Sequence, residues 1–194
     1  DESMSVRVGL GITQSVATNR NFVIQDKQND PNVQVEDKQI IETSGYGISA
    51  GVEMRRGSGR IQGYYGAEVF FTRTQNDVIY EYGNAMTLDN QAPNSTDWGP
   101  NITPIAGLDE QERQLYSYDG TRLGFGLNAL LGVEYFIGPK ISLGGEFKIG
   151  PNYTVENDGL NGYETWSDDG REIIETKTQD NSMKVRGINT NASG

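Results

Sequence analysis

From Thr121 onward, apolar and polar positions alternate one for one. Leu123, Phe125, Leu127, Leu131, Val133 and Tyr135 take odd positions, and Arg122, Gly124, Gly126, Asn128 and Glu134 lie between them. After Gly138-Pro139-Lys140 the alternation resumes: Ile141, Leu143, Phe147 and Ile149 on one face, Ser142, Glu146 and Lys148 on the other. A period of two places alternate side chains on opposite faces of a strand, so this stretch predicts two strands joined by a tight turn. The pattern recurs at 4–14, with Val6, Val8, Leu10 and Ile12 against Arg7, Gly9, Gly11 and Thr13. It recurs at 44–56, with Tyr46, Ile48, Ala50, Val52 and Met54 against Ser49, Glu53 and Arg55. Gly57-Ser58-Gly59 predicts a turn. Residues 60–75 then set Ile61, Tyr65, Ala67, Val69 and Phe71 against Gln62, Tyr64, Glu68, Phe70 and Thr72. A last strand is expected to begin near Arg171 and continue through Met183, Lys184, Val185 and Arg186.

About six strands are therefore expected. Between them lie three polar segments, at about 15–43, 77–118 and 154–172, that read as long acidic loops. A loop as long as 77–118 usually carries a function or is disordered. The strand from Thr121 to Tyr135 is expected to run about 15 residues, against a usual 5–6. Long strands, one apolar and one charged face, and alternating short and long connections together predict an all-β, antiparallel up-and-down transmembrane β-barrel. Residues 1–194 form its single domain.

Composition sharpens this picture. Only 35% of the residues are hydrophobic, and mean hydropathy is −0.60. No stretch reaches the roughly 18 apolar residues of a membrane helix, but a barrel turns only alternate residues to lipid. The 25 glycines suit bends and a crowded interior. Cysteine and histidine are both absent. That removes thiolate chemistry, the commonest general base and the commonest metal ligand. The net charge is −11, and the acids concentrate in the three expected loops while the remaining chain is net positive. Such loops disfavour nucleic acid.

The stretches RVGLGI, GRIQGYYGAEVFF, RLGFGLNALLGVEYFIGPKISLGGEFKIG and KVRGINTNASG carry a resemblance to the small eight-stranded bacterial outer-membrane barrels of the OmpA-like type. It covers roughly the strands and not the loops. It implies a Gram-negative outer-membrane location, a plugged interior and a structural, adhesive or accessory role. Known bacterial barrels begin at eight strands, so two more are expected to precede Asp1.

On this reading Leu10, Val52, Val69, Leu123, Phe125, Leu127, Leu131, Val133, Leu143 and Phe147 face lipid. Tyr64, Tyr65, Phe71, Tyr135 and Phe136 form an interfacial aromatic girdle. Arg7, Glu53, Arg55, Glu68, Arg122, Glu134, Glu146, Lys148 and Arg186, with Arg60 and Lys184, lie inside as a structural charge network. Charges in so narrow a lumen must pair. Glu134 and Glu146 across the hairpin could mimic an acid/base pair, but the nearby Arg122 and Lys148 make them structural instead. Outer-membrane barrel enzymes such as lipid A deacylases and omptin-type proteases need a histidine in their catalytic sets. The expectation is therefore a non-enzymatic barrel without cofactor or resident metal. Its partners are outer-membrane lipid and other outer-membrane or surface proteins reached through exterior acidic loops. Asp89, Asp97, Asp109, Asp168 and Asp169 are candidate Ca²⁺ ligands without EF-hand spacing, and read better as a solvated surface. Two alternatives stand beside this reading: a soluble lipocalin-like barrel around a hydrophobic ligand, and a narrow ion channel.

Overall fold

The alternation around Gly138 is the centre of a single antiparallel sheet that contains every strand. A computed structural model describes residues 3–27, 30, 32–57, 59–98, 112–139, 141–167, 169–178 and 185–193. Its strands are β1 (Ser3–Ile24), β2 (Gln34–Arg56), β3 (Ile61–Glu81), β4 (Arg113–Tyr118), β5 (Arg122–Gly138), β6 (Ile141–Glu156), β7 (Gly159–Ser167), β8 (Gly170–Thr178) and β9 (Val185–Ser193). There are no helices among the described residues. The sheet curls into a half-barrel.

The nine strands line up as six legs. β3 pairs with β5 along Ile61–Thr74 and with β4 along Asp77–Ile79, so β4 and β5 are two parts of one leg. β6 pairs with β5 while β7 pairs with β4, and β9 pairs with β6 while β8 pairs with β7. The first of these breaks centres on Gly120. A Cβ there would lie 1.5 Å from the carbonyl oxygen of Asn157, so only glycine permits the two legs to approach at their bend. Each interrupted leg lies beside its sequence neighbour, and among the described residues β1 pairs with β2 alone.

Register explains the two faces. Val52 opposes Val6 and Ala67, and Leu131 opposes Tyr65 and Phe147. The convex face therefore presents a belt of exposed apolar side chains: Met4 to Ile12 on β1, Tyr46 to Met54 on β2, Ile61 to Phe71 on β3, Phe125 to Tyr135 on β5, Ile141 to Ile149 on β6. Each run covers about 9–11 residues, the length of a strand that crosses a bilayer.

Two of the three expected loops are mostly strand, and the third is strand only at its ends. Residues 15–24 and 34–43 lengthen β1 and β2 to 22 and 23 residues, and Gln25 N donates to the Val33 carbonyl at 2.9 Å where the two strands part. Residues 77–81 belong to β3 and 113–118 to β4, while 82–98 and Glu112 of the described connection are irregular. Most of the segment expected as a loop at 154–172 is β6, β7 and the start of β8. Beyond the belt polar residues interrupt the convex side, where Gln14, Ser44, Glu42, Gln75 and Asp77 stand among Val16, Phe22 and Ile24. Backbone pairing goes on while the hydrophobic contrast ends, so periodicity no longer marks a strand there. The short turns occur where expected. Gly57 and Gly59 take φ of 127° and 89°, values that favour glycine. Pro139 ends the other turn, and Lys140 lies outside the described residues.

Candidate functional site

The concave face collects charge because every second residue opposite the belt is small, polar or ionised. Arg7 is the hub. Its Nη1 lies 2.5 Å from Glu146 and 3.4 Å from Glu53, and its Nε lies 4.0 Å from Glu68. Nη2 makes a second bond to Glu146, at 3.3 Å. Arg55 bridges Glu53 at 2.6 Å and Glu134 at 2.8 Å. Lys148 bridges Glu68 at 2.8 Å and Glu146 at 3.4 Å. The side chains of Glu53, Glu68 and Glu146 are 8%, 5% and 9% exposed, so these carboxylates are compensated almost wholly by protein groups. Asn128 donates its amide to Glu68 at 3.1 Å. The cluster joins β1, β2, β3, β5 and β6 with charge-assisted bonds.

Seven of the nine expected interior charges meet in this cluster: Arg7, Glu53, Arg55, Glu68, Glu134, Glu146 and Lys148. Arg122 does not. It is 54% exposed and pairs with Glu156 at 2.9 Å, one layer nearer the polar extension. Arg186 stands opposite Tyr153 in β9, but its side chain lies outside the described residues, as does Lys184. Arg60 is exposed in the turn before β3.

Of the expected lipid-facing residues, Leu10, Val52, Val69, Phe125, Leu127, Leu131, Val133, Leu143 and Phe147 are all exposed on the convex face, and Leu123 is half-buried at its upper margin. The girdle needs two corrections. Tyr64 is buried on the concave side, its ring over Gly132 and under the Arg55 guanidinium, 5.6 Å from the ring centroid. Phe136 shares the parity of Glu134 and is half-buried. Both follow from even numbering on strands whose odd residues face out. Tyr65 and Tyr135 are exposed on the convex side, and Phe71 leans on Tyr46 with centroids 6.3 Å apart.

A second polar site escaped the sequence reading. It sits beyond the belt, where residues 82–98 fold onto the concave side of β1 and β2. Asp37 is 0% exposed. Its carboxylate accepts from Gly83 N at 2.8 Å, Thr96 N at 2.7 Å and Thr96 Oγ1 at 2.8 Å. Asp26 accepts from Asn90 Nδ2 and Asn94 N, both at 2.8 Å. Asn84 accepts from Asp26 N and donates to the carbonyls of Ile24 and Asn94, each at 2.9 Å. Arg113 closes the other flank, donating to the Asn84 carbonyl at 2.8 Å and to Glu164 at 2.6 Å, with its guanidinium 4.4 Å from the Tyr82 ring centroid. Arg171 donates to the same Glu164 at 2.6 Å. An aspartate in a polar segment reads as solvated unless its donors are known. The only available signal was the density of Asn and Asp around Gly83.

Of the candidate Ca²⁺ ligands, Asp89 is 85% exposed and 3.7 Å from Lys27. Asp169 is exposed, and Asp109 and Asp168 lie outside the described residues. Among the described residues no group of three or more acidic side chains is arranged to hold a metal.

Tyrosines in the polar extension report on pH. Hydrogen bonding to Glu175, aided by burial, pushes the Tyr116 hydroxyl up to about 12. Burial pushes Tyr82 and Tyr163 up as well. A raised folded-state value favours the protonated phenol, so this stability is full below the ordinary pKa near 10 and declines as pH rises through the folded value. Unfolding monitored by tyrosine absorbance is expected to begin above about pH 10. In Tyr116→Phe that loss starts later, and an unchanged alkaline limb refutes the assignment.

Comparison with protein-family models, curated proteins and solved structures found no match to this chain.

Proposed function

We propose that this chain is a non-enzymatic outer-membrane β-barrel whose extensions beyond the bilayer dock a partner protein. One observation carries the reading: a belt of exposed apolar side chains, one bilayer tall, backed by a concave face whose charges are paired. Lipid explains such a belt, and water would not tolerate a patch of this size. The arrangement is the reverse of a lipocalin-like barrel, whose apolar face would be concave. The clustered ion pairs across the concave face likewise speak against an open channel.

Eight strands is the closure that the curvature favours. Counting legs from β1, β6 belongs to the fifth. In an eight-stranded barrel the first and fifth strands face each other across a lumen only wide enough for side chains. Arg7 and Glu146 reach from those two legs and touch. In a wider barrel they would stand too far apart. Two further strands fit between β1 and β9, because one up and one down strand preserve the antiparallel order. Closure also satisfies backbone groups that lipid cannot.

The polar extensions, braced by Asp37, Asn84 and Glu164, are rigid enough to present a surface above the bilayer facing the exterior. The purified chain is expected to stay monodisperse only in detergent or lipid. A monodisperse sample in plain buffer would overturn the membrane reading. Cross-linking in native membranes is expected to join the extensions to another surface protein, and a solitary monomer with protease-labile extensions would overturn the docking role.

A further inference from the structure

The ion cluster does not balance its own charge. The three cations Arg7, Arg55 and Lys148 meet the four carboxylates of Glu53, Glu68, Glu134 and Glu146, which leaves one negative charge over. Beside the cluster on the concave face lies a cavity of about 520 Å³, with Glu68 and Lys148 at one end. Ser49, Thr72 and Thr154 bring hydroxyls to its wall, and the Phe70 ring, packed over Gly126, brings an aromatic surface.

Two asparagines on the same wall hold acceptors that no protein group meets. Asn128 is 7% exposed. Its amide donates to Glu68 at 3.1 Å, which turns Oδ1 away from that carboxylate and leaves it buried without a donor. Asn152 Oδ1 is buried without a donor as well. Gly126 opposes Asn152 across β5 and β6, so Asn128 and Asn152 are diagonal neighbours on one face. Unmet acceptors favour whatever brings donors. Excess negative charge in a narrow interior favours whatever brings positive charge.

We propose that this cavity binds a small organic cation, a primary ammonium on a short apolar body. Its N–H groups meet Asn128, Asn152 and the wall hydroxyls, and its charge offsets the fourth carboxylate. Its alkyl part lies along Phe70, whose ring face also attracts cations. The volume falls within the roughly 300–1,000 Å³ of small-molecule sites, and an eight-stranded interior can hold one small ligand. A divalent metal is disfavoured, because among the described residues no three acidic side chains are arranged to hold one. The site needs only the concave face, whatever covers the convex one.

The full chain, folded in non-ionic detergent, is titrated with n-butylammonium chloride, and the side-chain amide signals of Asn128 and Asn152 are followed by NMR. Saturable shifts are expected. Butan-1-ol, of the same length but uncharged, is expected to bind about tenfold more weakly or worse, as befits lost bonds from a charged donor. Asn152→Leu is expected to weaken n-butylammonium by about tenfold. A Cβ at Gly11 on the cavity wall meets nothing within 4 Å, so Gly11→Met fills the space without moving the backbone and is expected to abolish binding. Asn152→Leu removes an acceptor that holds no protein group, and it decides the matter if Gly11→Met fails to fold. The absence of saturable shifts in the unaltered chain overturns the site. Equal affinity for butan-1-ol, or the same shifts with potassium chloride, overturns the organic cation. Binding unchanged in both variants overturns its place in this cavity. None of these outcomes bears on the membrane reading.

Discussion

Arg7→Ala is expected to lower the unfolding free energy in lipid by about 3–5 kcal/mol, the cost of leaving buried carboxylates without their counter-charge. Arg7 contacts Glu53, Glu68 and Glu146, and all three are nearly inaccessible to water. Lys148 and Arg55 still compensate part of the charge, which places the effect toward the lower end. Arg7→Lys keeps the charge but loses the fork on Glu146, so a smaller loss is expected. Replacing both partners, Arg7→Met with Glu146→Gln, should recover much of the single-variant loss, because no lone ion of that pair remains. Urea unfolding of the unaltered chain, Arg7→Met, Glu146→Gln and the double variant yields the coupling directly. Additive effects would mean that the pair is not a unit, and the curvature argument for eight strands would go with it.

Leu131→Arg separates the membrane reading from every soluble one. Leu131 is 66% exposed at the middle of the belt on β5. In water an arginine there would cost little. At a bilayer midplane it costs about 2–4 kcal/mol, falling to about 0–1 near the interface. Leu123→Arg, at the upper margin, supplies the interface comparison. A large loss at 131 and a small one at 123 are expected in lipid unfolding. Equal, negligible losses at both positions would remove lipid from the convex face.

How much of this was legible depended on what each face touches. An apolar residue at every second position made Val6 to Ile12 and Phe125 to Val133 readable as strands. The same parity assigned Glu53, Glu68 and Glu146 to the other side. Beyond the belt the alternation lapses: on β1 Val16 shares its face with Thr18 and Arg20, and Ala17 opposite Ile41 is followed by Asn19 opposite Gln39, so these segments read as loops. Parity also could not say which charges meet. Arg7 finds Glu146 through the stagger of four neighbouring strand pairs, and Arg122 is left outside by the same stagger. Tyr64 was misplaced because its aromatic character outweighed its even number. Asp37 was invisible because its importance lies in backbone donors that arrive from another segment.

The Arg7–Glu146 contact joins residues 139 positions apart, and this bears on how the chain reaches its structure. Hairpins can zip locally, but this bond forms only once every intervening leg is in place, among the slowest contacts to close. A slip of one residue in any of those hairpins exchanges faces along the slipped strand. Arg7 or one of its carboxylates would then point outward among the apolar side chains of the belt. The cluster thus acts as a register check: a mis-paired sheet cannot bury its charges, and the correct alignment alone neutralises them.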